Sequence, residues 1–206
     1  MQTLKYHTNQ VNKIIELKNK SLVSCSLDKS IIFYNKDNCN NYIKDYKLDT
    51  NYNYSSVIQT KDNEICYSES LSTIYFYDII QKKIIAKLNN INANDWSIDG
   101  FIMISDALLF IPSYNKISII NINEYSIIRV IDIPNSSRTF GVCMINKNVL
   151  LTGDEKGVIR QWEIEGDNLN LKSIKENAHN KYICSLINIG DGHIASSSGD
   201  SFIKIW

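Results

Sequence analysis

The chain has 206 residues with 22 basic and 22 acidic side chains, so its formal net charge is zero. Only three of the basic residues are arginine (Arg129, Arg138 and Arg160), and the basic face that nucleic-acid binding requires is missing. Hydrophobic residues make up 44%, enough to build a packed core, which excludes a disordered chain.

Residues 1–7, MQTLKYH, have no apolar core, so no signal peptide is expected. The longest purely apolar run, residues 107–112, is far too short to span a bilayer as a helix. No membrane insertion is expected, and the expected compartment is the cytoplasm. Five cysteines (Cys25, Cys39, Cys66, Cys143 and Cys184) form an odd set without C-x-x-C. Four of them fall in strand-like segments and read as buried, reduced thiols. No cluster of metal or cofactor ligands is evident, and no cofactor is expected.

The first apolar positions, Val11, Ile14 and Leu17, mark a strand. Residues 22–26, LVSCS, read as a second, buried strand. A turn at residues 27–30, LDKS, leads into a third at 31–34, IIFY. A fourth, of mixed polarity, is expected at 42–46. The set then recurs. Third strands are expected at 74–77, 117–120, 158–162 and 202–206, and outer strands at 83–88, 126–131 and 169–174. β-branched and aromatic residues dominate the third strands. The apolar runs are short and turn-bounded, with no sustained 3.6-residue period, so a helical reading fails.

The third strands end at Tyr34, Tyr77, Ile120, Trp162 and Trp206, at spacings of 43, 43, 42 and 44. A period in the range of about 40–45 residues belongs to four-stranded propeller blades. Trimmed to 28 residues, the repeats run 7–34, 50–77, 93–120, 135–162 and 179–206, and they align without insertions. One blade cannot bury its own faces, so the repeat implies stacked sheets. The expected fold is all-β: one domain over residues 1–206, made of five four-stranded antiparallel blades.

Tyr77-Asp78 and Trp162-Glu163 close two of these strands with an aromatic-acidic pair, and Tyr34-Asn35 is a weaker form. The last repeat carries His179, Ser196, Asp200 and Trp206. The first carries His7, Ser24, Asp28 and Tyr34 at the same separations of 17, 4 and 6. With these residues the chain resembles the WD40-repeat family. In that family, His, Ser/Thr, Asp and Trp form a buried hydrogen-bonded tetrad within one blade. A carboxylate buried in a tight turn needs donors, which His supplies, and Ser relays to the aromatic end. A catalytic Ser-His-Asp triad is the rival reading. It fails because a tetrad knits strands together and exposes no nucleophile. The middle repeats depart from the pattern, with Leu71, Tyr114 and Lys156 at the Asp position and Thr50, Ala93 and Asn135 at the His position. Their blades are expected to rely on apolar packing alone.

The resemblance implies that residues 2–5 form an outer strand completing the last blade. Two arrangements stay open, a closed five-bladed ring and an open five-blade arc of a larger propeller. The arc would leave apolar edges and self-associate. In the family, the top face is lined by positions three and five after the His slot and one before the Asp slot. Carried over, these give Gln10 and Asn12 in the first repeat, Trp96 in the third, Arg138, Phe140 and Glu155 in the fourth, and Tyr182 in the fifth. Trp, Tyr and Arg are the residues richest in binding hot spots.

The expected function is a non-enzymatic scaffold or adaptor that binds other proteins or peptide segments through this face. A phosphoinositide-binding propeller at the membrane surface is the alternative, but it needs paired arginines and no two are adjacent here. A propeller enzyme is a further alternative. Asp28 and Asp200 are committed to turns, however, and His193 stands alone.

Overall fold

The computed structural model describes residues 1–50, 56–68, 73–89, 91, 100–133 and 138–206. Among these residues the fold is all-β, with nineteen strands in five antiparallel sheets. Among the described residues no helix is long and apolar enough to cross a membrane. The chain divides into two compact units, Met1–Ile91 and Asn92–Trp206.

The first unit holds two blades. One is the meander β1 (Val11–Glu16), β2 (Leu22–Ser26), β3 (Ser30–Lys36) and β4 (Tyr42–Asp49). The other is β5 (Val57–Lys61), β6 (Glu64–Ser68), β7 (Ile74–Asp78) and β8 (Lys83–Leu88). The middle strands are rich in Val, Ile, Phe and Tyr and are buried on both faces, whereas β4 alternates between partly buried and exposed positions. Val23, Ile31 and Ile65 are fully buried in a core shared with Phe33, Val57, Tyr67 and Tyr77. Burying each such side chain contributes about 1.5–3 kcal/mol. Tyr46, on the outer strand, stacks on Phe33 with ring centroids 4.2 Å apart.

Residues 2–5 form no strand, where an outer strand is expected from the sequence. The Gln2 side-chain amide donates to the Tyr42 carbonyl at 2.5 Å and its Oε1 accepts the Tyr42 N–H at 2.8 Å. One side chain thus satisfies the backbone where β4 begins. The Tyr6 ring sits 6.0 Å from that of Tyr34. The segment carries its own polar and aromatic anchors for the first blade, which a short apolar-strand pattern does not reveal.

The second unit holds three blades. The first of these is β9 (Ile102–Met103), β10 (Leu108–Pro112), β11 (Lys116–Asn121) and β12 (Ser126–Asp132). Next comes β13 (Thr139–Asn146), β14 (Val149–Asp154), β15 (Ile159–Glu165) and β16 (Asn168–Lys175). In the last blade the described residues form β17 (Ile183–Gly190), β18 (His193–Ser198) and β19 (Ile203–Ile205). One core joins Phe110, Ile117 and Ile119 to Leu150, Trp162 and Leu169. Another joins Leu151 and Ile159 to Ile183, Leu186 and Ile194.

The turns between second and third strands repeat one conformation. Lys29, Gly157 and Ser201 occupy equivalent positions and all have positive φ, at 63°, 76° and 72°. Three cysteines, Cys25, Cys66 and Cys143, are buried, while Cys39 and Cys184 are exposed. Cys184 departs from the buried reading because it falls on the open side of β17, where burial alternates. Burial pushes the Cys25 thiol up to about 12, against lowering contacts from Lys13 and the backbone, so the thiol stays protonated and inert.

Candidate protein-interaction site

Two blades are fastened by the same hydrogen-bonded chain. In the fifth, Trp206 Nε1–H donates to Ser196 Oγ at 2.9 Å. Ser196 Oγ lies 2.7 Å from His179 Nε2, and His179 Nδ1 lies 2.9 Å from Asp200 Oδ2. An indole can only donate, so Ser196 Oγ accepts from Trp206, and an ionised carboxylate can only accept, so Asp200 Oδ2 accepts from His179 Nδ1–H. In the first blade, Tyr34 Oη, Ser24 Oγ, His7 and Asp28 Oδ2 follow at 3.0, 2.7 and 2.9 Å.

Each Asp also receives a backbone N–H, from Thr8 to Asp28 and from Asn180 to Asp200, both at 3.0 Å. Burial alone would raise the Asp28 carboxyl, but bonds from Ser30, Thr8 and His7 outweigh it and hold the acid at about 2. Asp200 is likewise held well below the usual carboxylate range: burial opposes, and the N–H groups of Asn180 and Phe202 with His179 and Ser198 prevail. These residues tie turns to strands.

The fourth blade has its own lock, and this corrects the expectation of apolar packing alone. Asp154 stands two residues before the slot that Lys156 occupies. Its Oδ1 accepts the N–H groups of Lys156 and Val158 at 2.9 and 3.0 Å. Its Oδ2 accepts from Arg160 at 2.6 Å, and both side chains are buried. Trp162 Nε1–H donates to Thr152 Oγ1 at 2.9 Å. Thr152 and Trp162 fill the Ser and Trp slots, but the carboxylate is displaced and paired with Arg rather than His. A search at fixed spacing misses it; an Asp followed six residues later by Arg was the available signal.

The positions carried over to the top face are brought together by one recurring bond. The N–H before the Asp slot donates to the carbonyl three residues after the His slot. The pairs are Leu27 to Gln10 at 2.9 Å, Glu155 to Arg138 at 2.8 Å and Gly199 to Tyr182 at 3.0 Å. The fourth and fifth blades add an aromatic contact between Phe140 and Tyr182, edge to face with centroids 6.0 Å apart. Tyr182 is 47% exposed. Its ring lies over Gly199, where an added Cβ would come within 2.5 Å of the ring carbons, so only glycine permits this seat. Arg138 and Phe140 are half-buried and Glu155 is exposed beside them. In the first blade, Gln10 is exposed and Asn12 half-buried. Trp96, with Leu71, Ala93 and Asn135, lies outside the described residues.

Antiparallel blade sheets on a period of about 43 residues, fastened by His–Ser–Asp–aromatic locks, define the WD40-type β-propeller fold. Residues 171–206 match the family model described as WD domain, G-beta repeat. Over 65 residues the chain is 32% identical to the WD repeat-containing protein 55 homolog of Dictyostelium discoideum, a match covering 31% of this chain and 15% of that protein. Among solved structures, the WD40 β-propeller domain of Doa1 is 17% identical with a TM-score of 0.78, covering 98% of this chain and 66% of that one. A chain from the crystal structure of the mitotic checkpoint complex is 13% identical with a TM-score of 0.76, covering 90% of this chain and 58% of that one. The chain therefore spans less than two thirds of each of these relatives.

Proposed function

We propose that this chain is a non-enzymatic scaffold that holds a protein or peptide segment on the face built from Arg138, Phe140, Glu155 and Tyr182. The observation that carries this reading is the Tyr182 ring, half exposed yet fixed by Phe140 at its edge and Gly199 beneath it. An aromatic ring already held in place loses little freedom when a partner covers it. Tyr and Arg are the residue types that dominate hot spots. Arg138 and Glu155 supply opposite charges beside the ring, which set the register of a bound segment. Gln10 and Asn12 serve as a polar rim, and Trp96 belongs to the same set by its place in the repeat. Propellers of this type typically serve as interaction scaffolds, and one similar chain was solved within a multiprotein complex.

The test compares retention of a binding partner by the wild-type chain and by Arg138→Ala and Tyr182→Ala, with melting temperatures measured alongside. Loss of a hot spot should weaken binding by about 2 kcal/mol, roughly 30-fold. Melting should change little. Equal retention by all three chains would reject this face.

A further inference from the structure

The turn from third to fourth strand recurs in blades one to four, and it carries Asp37 in the first, Glu124 in the third and Asp167 in the fourth. In the second blade it reads Ile79-Ile80-Gln81-Lys82 and leads into β8, so residues 79–89 hold three lysines and no acid. The third blade builds the same turn from other residues. Asp78 Oδ1 accepts the Gln81 N–H at 2.7 Å, and Asn121 Oδ1 accepts the N–H groups of Asn123 and Glu124 at 2.8 and 3.3 Å. Lys82 and Tyr125, at the fourth place of their turns, both have a φ of 51°. Asn123 fills the second place in the third blade, so folding of the turn does not require the isoleucine of the second. Ile80 is nonetheless 72% exposed, with Ile84 at 49% and Ile85 at 36% behind it.

The lysines of this segment are partnered differently from those beside the other outer strands. Lys47 pairs with Asp49 and Lys172 with Glu163, both at 2.6 Å, and Lys116 reaches Asp132 on β12 at 3.6 Å. Lys82 and Lys87 lie instead over tyrosine rings, Tyr46 at 4.1 Å and Tyr75 at 5.4 Å. A ring face attracts an ammonium without cancelling its charge. Asp78, opposite Lys83 in the ladder, is taken up by Gln81, accepting its N–H and its side-chain amide at 2.7 and 3.2 Å. The result is a turn tip and strand edge that expose aliphatic side chains among unneutralised positive charges.

We infer that this turn and the start of β8 attach the chain to an anionic lipid surface, with the second blade entering tip first. Ile80 leads into the boundary between headgroups and acyl chains, and Lys82 and Lys83 meet the negative headgroups. A strand rises about 3.3 Å per residue, so Ile84 and Ile85 follow within the roughly 5–10 Å to which interfacial elements sink. Lys87, farther up the strand, contributes less. Charge and shape both favour lipid over a peptide added along β8. Lysines on an edge strand discourage pairing with another strand, and a peptide paired with Lys83–Leu88 would leave the tip at Ile80 in water. A headgroup layer covers tip and edge together. The contact lies on the surface without spanning it, uses none of the residues of the Tyr182 face, and stands whether or not that face binds anything.

The test sediments the whole chain with vesicles of phosphatidylcholine alone and of equal parts phosphatidylcholine and phosphatidylserine, with melting temperatures measured alongside. The chain should pellet with the anionic vesicles only, and should release as salt rises to about 1 M, where the Debye length shrinks to about 3 Å. Ile80→Asn copies the turn of the third blade and should weaken the partition about tenfold. Lys83→Gln should weaken it about fivefold, and Lys87→Gln by less, with melting unchanged in all three. Soluble polyglutamate is the competing probe. A chain that binds polyglutamate but no vesicle would make the occupant an acidic protein segment and overturn the proposal. So would equal pelleting with both vesicle types, pelleting with neither, or pelleting with anionic vesicles that Ile80→Asn and Lys83→Gln leave unchanged.

Discussion

Trp206 fixes one end of its lock, because an indole N–H can only donate, and Asp200 fixes the other, because a carboxylate can only accept. Trp162 does the same for Thr152, but beyond Thr152 the fourth blade changes chemistry. Its carboxylate meets a guanidinium, and the buried pair of Asp154 and Arg160 behaves differently from a His-fed lock. Removing one partner leaves the other charge buried and alone, whereas replacing both with apolar groups of similar volume can be neutral. Asp154→Ala should therefore cost about 3 kcal/mol or more in urea unfolding. The double change Asp154→Leu with Arg160→Met should recover most of that loss. If the double variant were as unstable as the single, the two N–H bonds to Asp154 Oδ1 would be the larger contribution.

Strands and turns were legible in the sequence to different degrees, for physical reasons. The pattern gives residues 83–88 for an outer strand, and β8 is Lys83–Leu88, because Gln-Lys before it and Asn-Asn after it bound a short β-branched run. The third strands were read a residue or two short at several ends, since Asn35 and Lys36 pair with Ile43 and Tyr42 but carry no apolar signal. One feature had no signal at fixed spacing: Asp154 is displaced by two residues from its slot. The turn at Gly157 illustrates how such elements couple. Its φ of +76° suits glycine, and its carbonyl accepts the His179 N–H at 3.0 Å. A Cβ there would fall 2.1 Å from the His179 carbonyl oxygen. Gly157→Ala should combine backbone strain with that clash and cost about 1–3 kcal/mol. The cost should be largest in the exchange of amides around His179, far from the substitution in sequence, and unchanged protection there would break the link.

Across the whole chain, acid is the condition that tests both units together, because each holds a depressed lock carboxyl, Asp28 in the first and Asp200 in the second; Asp37 of the first unit is lowered too, by the N–H groups of Asn41 and Cys39. The unfolded chain returns these groups to the ordinary value of 3.8. As pH falls below that value the unfolded state takes up protons before the folded state does, so stability drops. The contribution of Asp28 is complete above about pH 4 and is lost as pH approaches its folded value of about 2, and that of Asp200 is lost in the same direction. Neither group gives any pH dependence near neutrality. Urea midpoints measured from pH 5 down to pH 2 should fall steeply in the wild-type chain. They should fall less in Asp28→Asn and Asp200→Asn, whose absolute stability at pH 7 is already lower. The two carboxyls share no hydrogen-bond partner, so their effects should add, and the double variant should show the flattest acid limb. An acid limb of undiminished slope in the double variant would place the proton uptake in other carboxyls and leave the two locks as hydrogen-bonded fasteners without a part in acid unfolding.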